Sequence, residues 1–236
     1  MGRPVRPTVV FLDWGGTLAR EVGVFREPWR IWHRVLAEEG RPEDPDRIRS
    51  AIDSTDREWF GEIYDYLGRT EEFWLRYDGH ILDRLGIGSG RKQIVESVQR
   101  VFDDRDVVEL YPETRPVLLA LRDRGYRTGI ISNHNDGLLR DLEHHELRTL
   151  FETVTYSQEA RAEKPDPAVF SLALRRAGCS AAEAVYVGNT VEQDIEGARG
   201  VGIRPIWINR TGRGDPPGCP MIRSLDELLP LLDGLE

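Results

Sequence analysis

From about residue 107 onward, short apolar runs alternate with helical patterns. That alternation restricts the fold more than any other feature of the chain. A helix opens at Pro112-Glu113-Thr114 and runs through Leu118, Leu119 and Leu121 to Gly125. Strand Thr128-Gly129-Ile130-Ile131 follows. A helix over about 136–148 leads to strand Phe151-Glu152-Thr153-Val154, and one over about 166–177 leads to Ala184-Val185-Tyr186-Val187. A helix over 193–200 then leads to Pro205-Ile206-Trp207-Ile208, before a strand near Met221-Ile222 and a closing helix, Leu225–Leu232. Strands alternating with helices give a parallel sheet covered on both faces. Residues 8–12 read as its first strand, because Val9-Val10-Phe11-Leu12 is a short, continuous apolar run.

Between that strand and the alternating region, roughly residues 25–103 carry helical periodicity. Apolar positions recur as Trp29, Trp32, Val35 and Leu36, then as Ile48, Ile52, Trp59, Ile63 and Leu67. They continue as Phe73, Trp74, Tyr77, Ile81, Leu82 and Leu85, and finally as Ile94, Val98, Val101 and Phe102. Breaks fall at Gly40-Arg41-Pro42, Gly68 and Gly86-Ile87-Gly88-Ser89-Gly90. Four such helices make a small bundle. The fold class is therefore α/β, a Rossmann-like doubly wound parallel sheet with a helical bundle inserted after the first strand. Residues 1–19 and 105–236 form the sheet domain, and residues 20–104 the helical one.

A chain of 236 residues with 39% hydrophobic and 31% charged residues has the composition of a soluble globular protein. Its net charge of −9 argues against nucleic acid and anionic membranes as partners. No apolar run approaches a membrane span, and no signal-peptide core follows the N-terminus. Cys179 and Cys219 make no metal-ligand spacing and suggest a reducing, cytoplasmic setting. Lys92 and Lys164 are the only lysines among 32 basic residues, so chemistry that needs an amine has two side-chain candidates. Monomer and homodimer are not distinguished.

Four segments end strands or open helices, and a parallel sheet brings them to one edge, where open α/β sheets place their chemistry. The first is Asp13-Trp14-Gly15-Gly16-Thr17. The second is Ser132-Asn133-His134-Asn135, a hydroxyl and amides before a helix start suited to anions. The third is Glu163-Lys164-Pro165-Asp166-Pro167, a lysine beside a proline-opened helix. The fourth runs from Gly188 and Asn189 to Asp194, Gly197 and Ala198. Taken singly, each has an ordinary structural reading as a cap, a turn former or a solvated charge. The order and spacing of all four together point to a site for an anionic small molecule.

These segments resemble the haloacid dehalogenase-like hydrolase superfamily, mostly phosphatases, over nearly the whole chain. The resemblance makes the inserted bundle a cap and implies that Asp13 is a nucleophile forming an aspartyl-phosphate. It implies phosphate binding by Thr17, Ser132, Asn133 and Lys164, with Lys164 steadying Asp13 and the transferring charge. Mg²⁺ would be held by Asp13, the Gly15 carbonyl, Asn189 and Asp194. Two positions depart from the phosphatase pattern. Gly15 replaces a second Asp that serves as general acid and base, and Asn189 replaces an acidic residue, so metal binding is expected to be weaker. His134 and His33 are candidate substitutes for the missing acid and base. Arg26, Arg30 and Arg34 lie early in the bundle and are candidates for meeting an anionic substrate.

Three alternatives stay open. Asp13-Trp14-Gly15-Gly16-Thr17 looks like the first motif of phosphonoacetaldehyde hydrolases, with Lys92 as the sole cap lysine for a Schiff base. The 2-haloacid dehalogenases also lack the second Asp and resemble the chain at Asp13, Thr17 and Asn189. The third is a catalytically impaired binding protein on the same fold.

Overall fold

The computed structural model describes residues 6–21, 27–59, 62, 65–66, 69–102, 108–214 and 217–234. Arg26, Ile63, Leu67 and Gly68 lie outside the described residues. The chain divides into two compact units, one of residues 1–20 with 110–236 and one of residues 21–109.

In the first unit, six parallel strands form one sheet. They are β1 (Val9–Leu12), β4 (Arg127–Ser132), β5 (Thr153–Tyr156), β6 (Ala184–Gly188), β7 (Arg204–Ile208) and β8 (Met221–Ile222), in the order β5-β4-β1-β6-β7-β8. Val9 stands opposite both Arg127 and Ala184, and Leu12 opposite both Ile130 and Val187. The chain fills one side of β1 with β4 and β5, then crosses to fill the other with β6, β7 and β8. The crevice beyond the C-terminal end of β1 is therefore the topological switch point. Strands buried on both faces explain the unbroken apolar runs. On one face Val9, Phe11, Ile131 and Tyr186 pack against Val169, Phe170 and Ala173 of α8 (Pro167–Ala177) and against Ala198. Around the sheet also lie α5 (Thr114–Asp123), α6 (Gly137–His144), α9 (Gly197–Gly200) and α10 (Leu228–Asp233).

Three elements depart from the sequence expectation. The strand expected at 151–154 starts two residues later, at Thr153. Its buried threonines resemble turn residues in sequence, but Gly129 of the neighbouring β4 leaves room for one of them: a Cβ at 129 would lie 2.5 Å from the Thr153 hydroxyl. The helix expected over 193–200 is a wide π-type turn, Val191–Glu196, followed by the single turn of α9. Wide turns of this kind favour functional sites; here Asp194 Oδ2 accepts the Thr190 N–H at 2.8 Å from inside the turn. The helix expected over 136–148 ends at His144, and Glu146 then takes a left-handed conformation. The short elements β2 (Ala19–Glu21), β3 (Val108–Leu110) and α7 (Ser157–Ala160) have no counterpart in the sequence reading.

The second unit contains α1 (Pro28–Glu38), α2 (Pro45–Trp59), α3 (Thr70–Leu85) and α4 (Arg91–Phe102). Ile31, Trp32, Leu36, Ile48, Phe73, Ile81, Leu82, Ile94 and Val98 form its core, which gives the periodic apolar positions one shared interior. Gly86 ends α3 in the left-handed conformation, as a C-terminal glycine does. Arg30 bonds Glu27, and Arg34 lies 4.0 Å from Glu38, so both arginines have acidic partners on or beside α1.

Candidate active site

Asp13 follows β1 directly, and its N–H donates to the Val187 carbonyl at 2.9 Å, which fixes it against β6. Its carboxylate is buried, with 5% of the residue exposed. Lys164, 4% exposed, reaches it from the loop before α8. The Lys164 Nζ donates to Asp13 Oδ1 at 2.7 Å, to Asp194 Oδ1 at 2.6 Å and to the Tyr186 hydroxyl at 3.0 Å. All three hydrogens of the ammonium thus have acceptors. The motif around the lysine also starts the helix: Asp166 caps α8 by accepting the Ala168 N–H at 2.8 Å, and Pro167 occupies its first turn.

Asn133, expected at the phosphate, spends its side chain on the lysine loop. Its Oδ1 accepts the Lys164 N–H at 2.7 Å and its Nδ2 donates to the Lys164 carbonyl at 3.2 Å. Ser132 is buried at the end of β4. Thr17 is fully buried, and its hydroxyl has no hydrogen-bond partner among the described residues.

Asp194, expected as a metal ligand, is occupied otherwise. Its Oδ1 takes Lys164 and, at 2.9 Å, the Tyr186 hydroxyl, while its Oδ2 takes the Thr190 N–H. It anchors the lysine from the side opposite Asp13. Gly188 permits this, because a Cβ there would lie 2.4 Å from the Asp194 side chain.

Burial holds the Asp13 carboxyl above its ordinary value; Lys164 offsets this only in part, and the nearby Asp194 charge adds to the rise. For Lys164, burial disfavours the ammonium, but the two carboxylates outweigh it and hold the lysine protonated. One cation between two carboxylates leaves the buried cluster with a formal charge of one negative. The Tyr186 hydroxyl is pushed well up, first by burial and then by Asp194, so it stays a neutral donor.

The second oxygen of Asp13 has different surroundings. The Asn189 side-chain oxygen faces Asp13 Oδ2 and the Gly15 carbonyl oxygen. Turned about, the amide nitrogen donates to them at 3.2 and 2.9 Å. Oxygen inward, three oxygens converge with no proton among them, a donor set suited to a hard cation. Nitrogen inward, both acceptors are satisfied without one. Among the described residues no group of three or more His, Cys, Asp and Glu side chains could hold a metal, so a cation here depends on amide and carbonyl oxygens. Gly16, at φ +77°, gives Asn189 its place: a Cβ there would lie 2.5 Å from the amide nitrogen. Gly15 is the reverse case, since an added Cβ would meet nothing within 4 Å. No neighbour within that distance fills the place of the missing second carboxylate.

The other candidates sit apart from this cluster or in the other unit. His134 Nδ1 lies 3.0 Å from the Asn135 carbonyl oxygen, and Nε2 lies 3.9 Å from Asp141. His33 lies on α1. The Lys92 side chain is 91% exposed, 3.7 Å from Glu96, and so lacks the desolvation that activates a Schiff-base lysine. The sequence reading placed Tyr186 in a strand but not in the site. The one available signal was a hydroxyl within a buried apolar run, which must find a partner.

A doubly wound sheet with a lysine-held aspartate at its switch point defines a class of enzymes, the hydrolases that carry a candidate carboxylate nucleophile after the first strand. The family is shown by comparison: residues 28–208 match the model for haloacid dehalogenase-like hydrolases, and the chain belongs to that family. A glyceraldehyde 3-phosphate phosphatase of Methanopyrus kandleri is 30% identical over 187 residues, covering 74% of this chain and 77% of that protein. A phosphoserine phosphatase of Thermus thermophilus is 30% identical over 177 residues, covering 65% and 69%. The crystal structure of a 2-haloacid dehalogenase from Pseudomonas syringae superposes with a TM-score of 0.78 at 27% identity, covering 98% of this chain and all of that one.

Proposed function

We propose that this hydrolase is a phosphatase acting on a small phosphorylated metabolite whose leaving group departs without a proton, such as an acyl or aryl phosphate. One observation carries the reading: Asp13 has one oxygen clamped by Lys164, and among the described residues nothing stands within 4 Å of a Cβ added at residue 15, where a proton donor would be attached. The phosphatase relatives support the phosphoryl group as the target.

Asp13 attacks phosphorus, the ester or anhydride P–O bond breaks, and the leaving oxygen departs as a stable anion. Water then attacks phosphorus, the P–O bond to Asp13 breaks, the water's protons leave with the phosphate or pass to solvent, and the Asp13 carboxylate is regenerated. Lys164 stays protonated and balances the attacking carboxylate. A cluster that already carries one negative charge repels a phosphate, which is the argument for a cation. Mg²⁺ fits the oxygens of Asp13, Gly15 and Asn189, and when bound it supplies charge neutralisation. Asp194, whose oxygens serve Lys164, Tyr186 and Thr190, is a positioning group in this scheme. The helical unit, residues 21–109, takes the part of the cap that selects the substrate.

The nitrogen-inward orientation of Asn189 favours a second reading, a metal-free 2-haloacid dehalogenase, and the Pseudomonas structure supports it. In that chemistry Asp13 displaces halide from carbon and water cleaves the resulting ester. One assay separates the two: phosphate release from acetyl phosphate and p-nitrophenyl phosphate, with Mg²⁺ and with EDTA, beside chloride release from 2-chloropropionate. Mg²⁺-dependent phosphate release, lost in Asp13→Asn, is the expected result. Chloride release insensitive to EDTA, with no phosphate released, replaces the first reading by the second.

A further inference from the structure

The turn that carries Gly15 and the loop that carries Asn189 follow neighbouring strands, but the side chains that fix them come from a third segment, the end of β7 and the residues just beyond it. Arg210 Nε donates to the Gly16 carbonyl at 3.1 Å, and its Nη2 donates to the Thr17 carbonyl at 2.7 Å. Its remaining arm, Nη1, meets Glu113 Oε1 at 2.7 Å, and the guanidinium carbon lies 3.3 Å from the centre of the Tyr111 ring. Burial is the largest influence on the Glu113 carboxyl and would raise it, but the Arg210 hydrogen bond and charge, a backbone hydrogen bond and Ser224 together outweigh it and hold Glu113 below its ordinary value, and so charged. Three residues earlier, Trp207 Nε1 donates to the Asn189 backbone carbonyl at 3.0 Å.

The sheet order is β1-β6-β7, so Arg210 reaches from beyond β7 to the turn after β1, past the end of the intervening strand. The turn's own bonds, Leu18 and Ala19 N–H to the Trp14 carbonyl and Gly16 N–H to the Ala19 carbonyl, leave the Gly16 and Thr17 carbonyls to be met from outside. A planar guanidinium can serve two carbonyls, a carboxylate and a ring face at once; a lysine cannot.

We propose that Trp207 and Arg210 are positioning residues that together hold the two halves of the Asp13–Gly15–Asn189 oxygen face at working distance. Trp207 fixes the Asn189 side and Arg210 fixes the Gly15–Thr17 side, across the contact between Gly16 and the Asn189 amide. The inference rests on reading that face as part of the reacting site. Neither residue touches the Asp13 carboxylate, so their effect is on geometry. Misplacements of about 1 Å can cost roughly a hundredfold in rate.

The test uses the full chain with Arg210→Lys and Trp207→Phe, the latter keeping an aromatic ring while losing the indole donor and the second ring. Arg210→Lys is expected to lower kcat for p-nitrophenyl phosphate by roughly 10- to 100-fold with KM within about twofold. Trp207→Phe is expected to lower it about fivefold, the worth of one hydrogen bond. In Arg210→Lys the Gly16 amide should exchange its hydrogen at least about tenfold faster, because its turn has lost its outer clamp. Unchanged Gly16 exchange overturns the proposal whatever the rates do, and so does a rise in KM with kcat unaltered. Exchange is read without any substrate. If the wild-type chain releases no phosphate, the functional reading fails while the positioning role is still decided.

Discussion

Each unit buries a carboxyl that burial holds above its ordinary value, and the two have different partners. Asp13, in the sheet unit, faces a lysine that a second carboxylate keeps charged. Asp78, on α3 of the helical unit, is 2% exposed and accepts a hydrogen bond from the neutral amide of Gln99. Burial pushes Asp78 up to about 7, with Gln99 pulling only slightly back. The same side chain at similar depth therefore serves two ends. An ammonium partner pulls back against burial and a second carboxylate at Asp13, and an amide partner lets Asp78 keep its proton until near neutral pH. The contrast teaches that burial alone does not mark a reactive carboxylate; the partner decides.

The severest way to break the comparison is to remove the partner that distinguishes the two. Lys164→Met leaves Asp13 and Asp194 buried without a cation. Turnover should fall at least about a thousandfold, with roughly 3–5 kcal/mol of stability lost, as when one member of a buried pair is deleted. Steady-state rates and urea unfolding check both, and a variant with near-normal turnover would refute the charged pair. The next largest effect sharpens the contrast by adding a third carboxylate where space is open. Gly15→Asp should raise turnover of alkyl phosphates by roughly 10- to 100-fold relative to aryl phosphates, since only poor leaving groups need the proton. An unchanged alkyl-to-aryl ratio would show that the gap at 15 is not what limits the chemistry.

Asp78→Asn tests the other carboxylate, and the sign follows from its raised value. Between about pH 4 and 7 the native state holds a proton that the unfolded state has released. Wild-type stability from this group is therefore full below that window and falls as pH rises through it, by at most about 1.4 kcal/mol per unit. The variant should lack this slope. It should match or trail the wild type at pH 5 and exceed it by about 1–3 kcal/mol at pH 8, in paired urea titrations. Identical slopes would place the titration elsewhere. Smallest is Tyr186→Phe, which removes one hydroxyl between Lys164 and Asp194. A loss of about 1–2 kcal/mol in thermal unfolding and a severalfold drop in kcat are expected.

The parallel sheet and the edge where the site lies were legible in the sequence because both depend on local signals: apolar runs, proline and glycine breaks, and a polar residue after each strand. Asp13, Ser132 and Asn189 stand at or next to strand ends and Lys164 just before a proline-opened helix, where that reading put them. What spacing does not encode is which donor meets which acceptor. Asp194 lies five residues beyond Asn189, and a regular helix there would send it elsewhere; the wide turn brings it back under Lys164. Asn133 looks like an anion ligand until the Lys164 backbone takes both ends of its amide. Arg210 was invisible for a different reason. Its partners Gly16 and Thr17 lie 194 and 193 residues away, and they offer backbone carbonyls, which every residue has.

The place of β1 in the sheet also bears on how the molecule is made. It precedes every other strand of its sheet in the chain and is an inner strand of the finished sheet. Val9 must wait for Arg127 on one side and Ala184 on the other. At synthesis rates of about 5–20 residues per second, the wait for the second partner is roughly 9–35 s. Through that interval Val9-Val10-Phe11-Leu12 is an apolar strand with two bare edges, the condition under which strands pair with the wrong chain. The setting of Asp13 is therefore completed by residues made long after Asp13 itself.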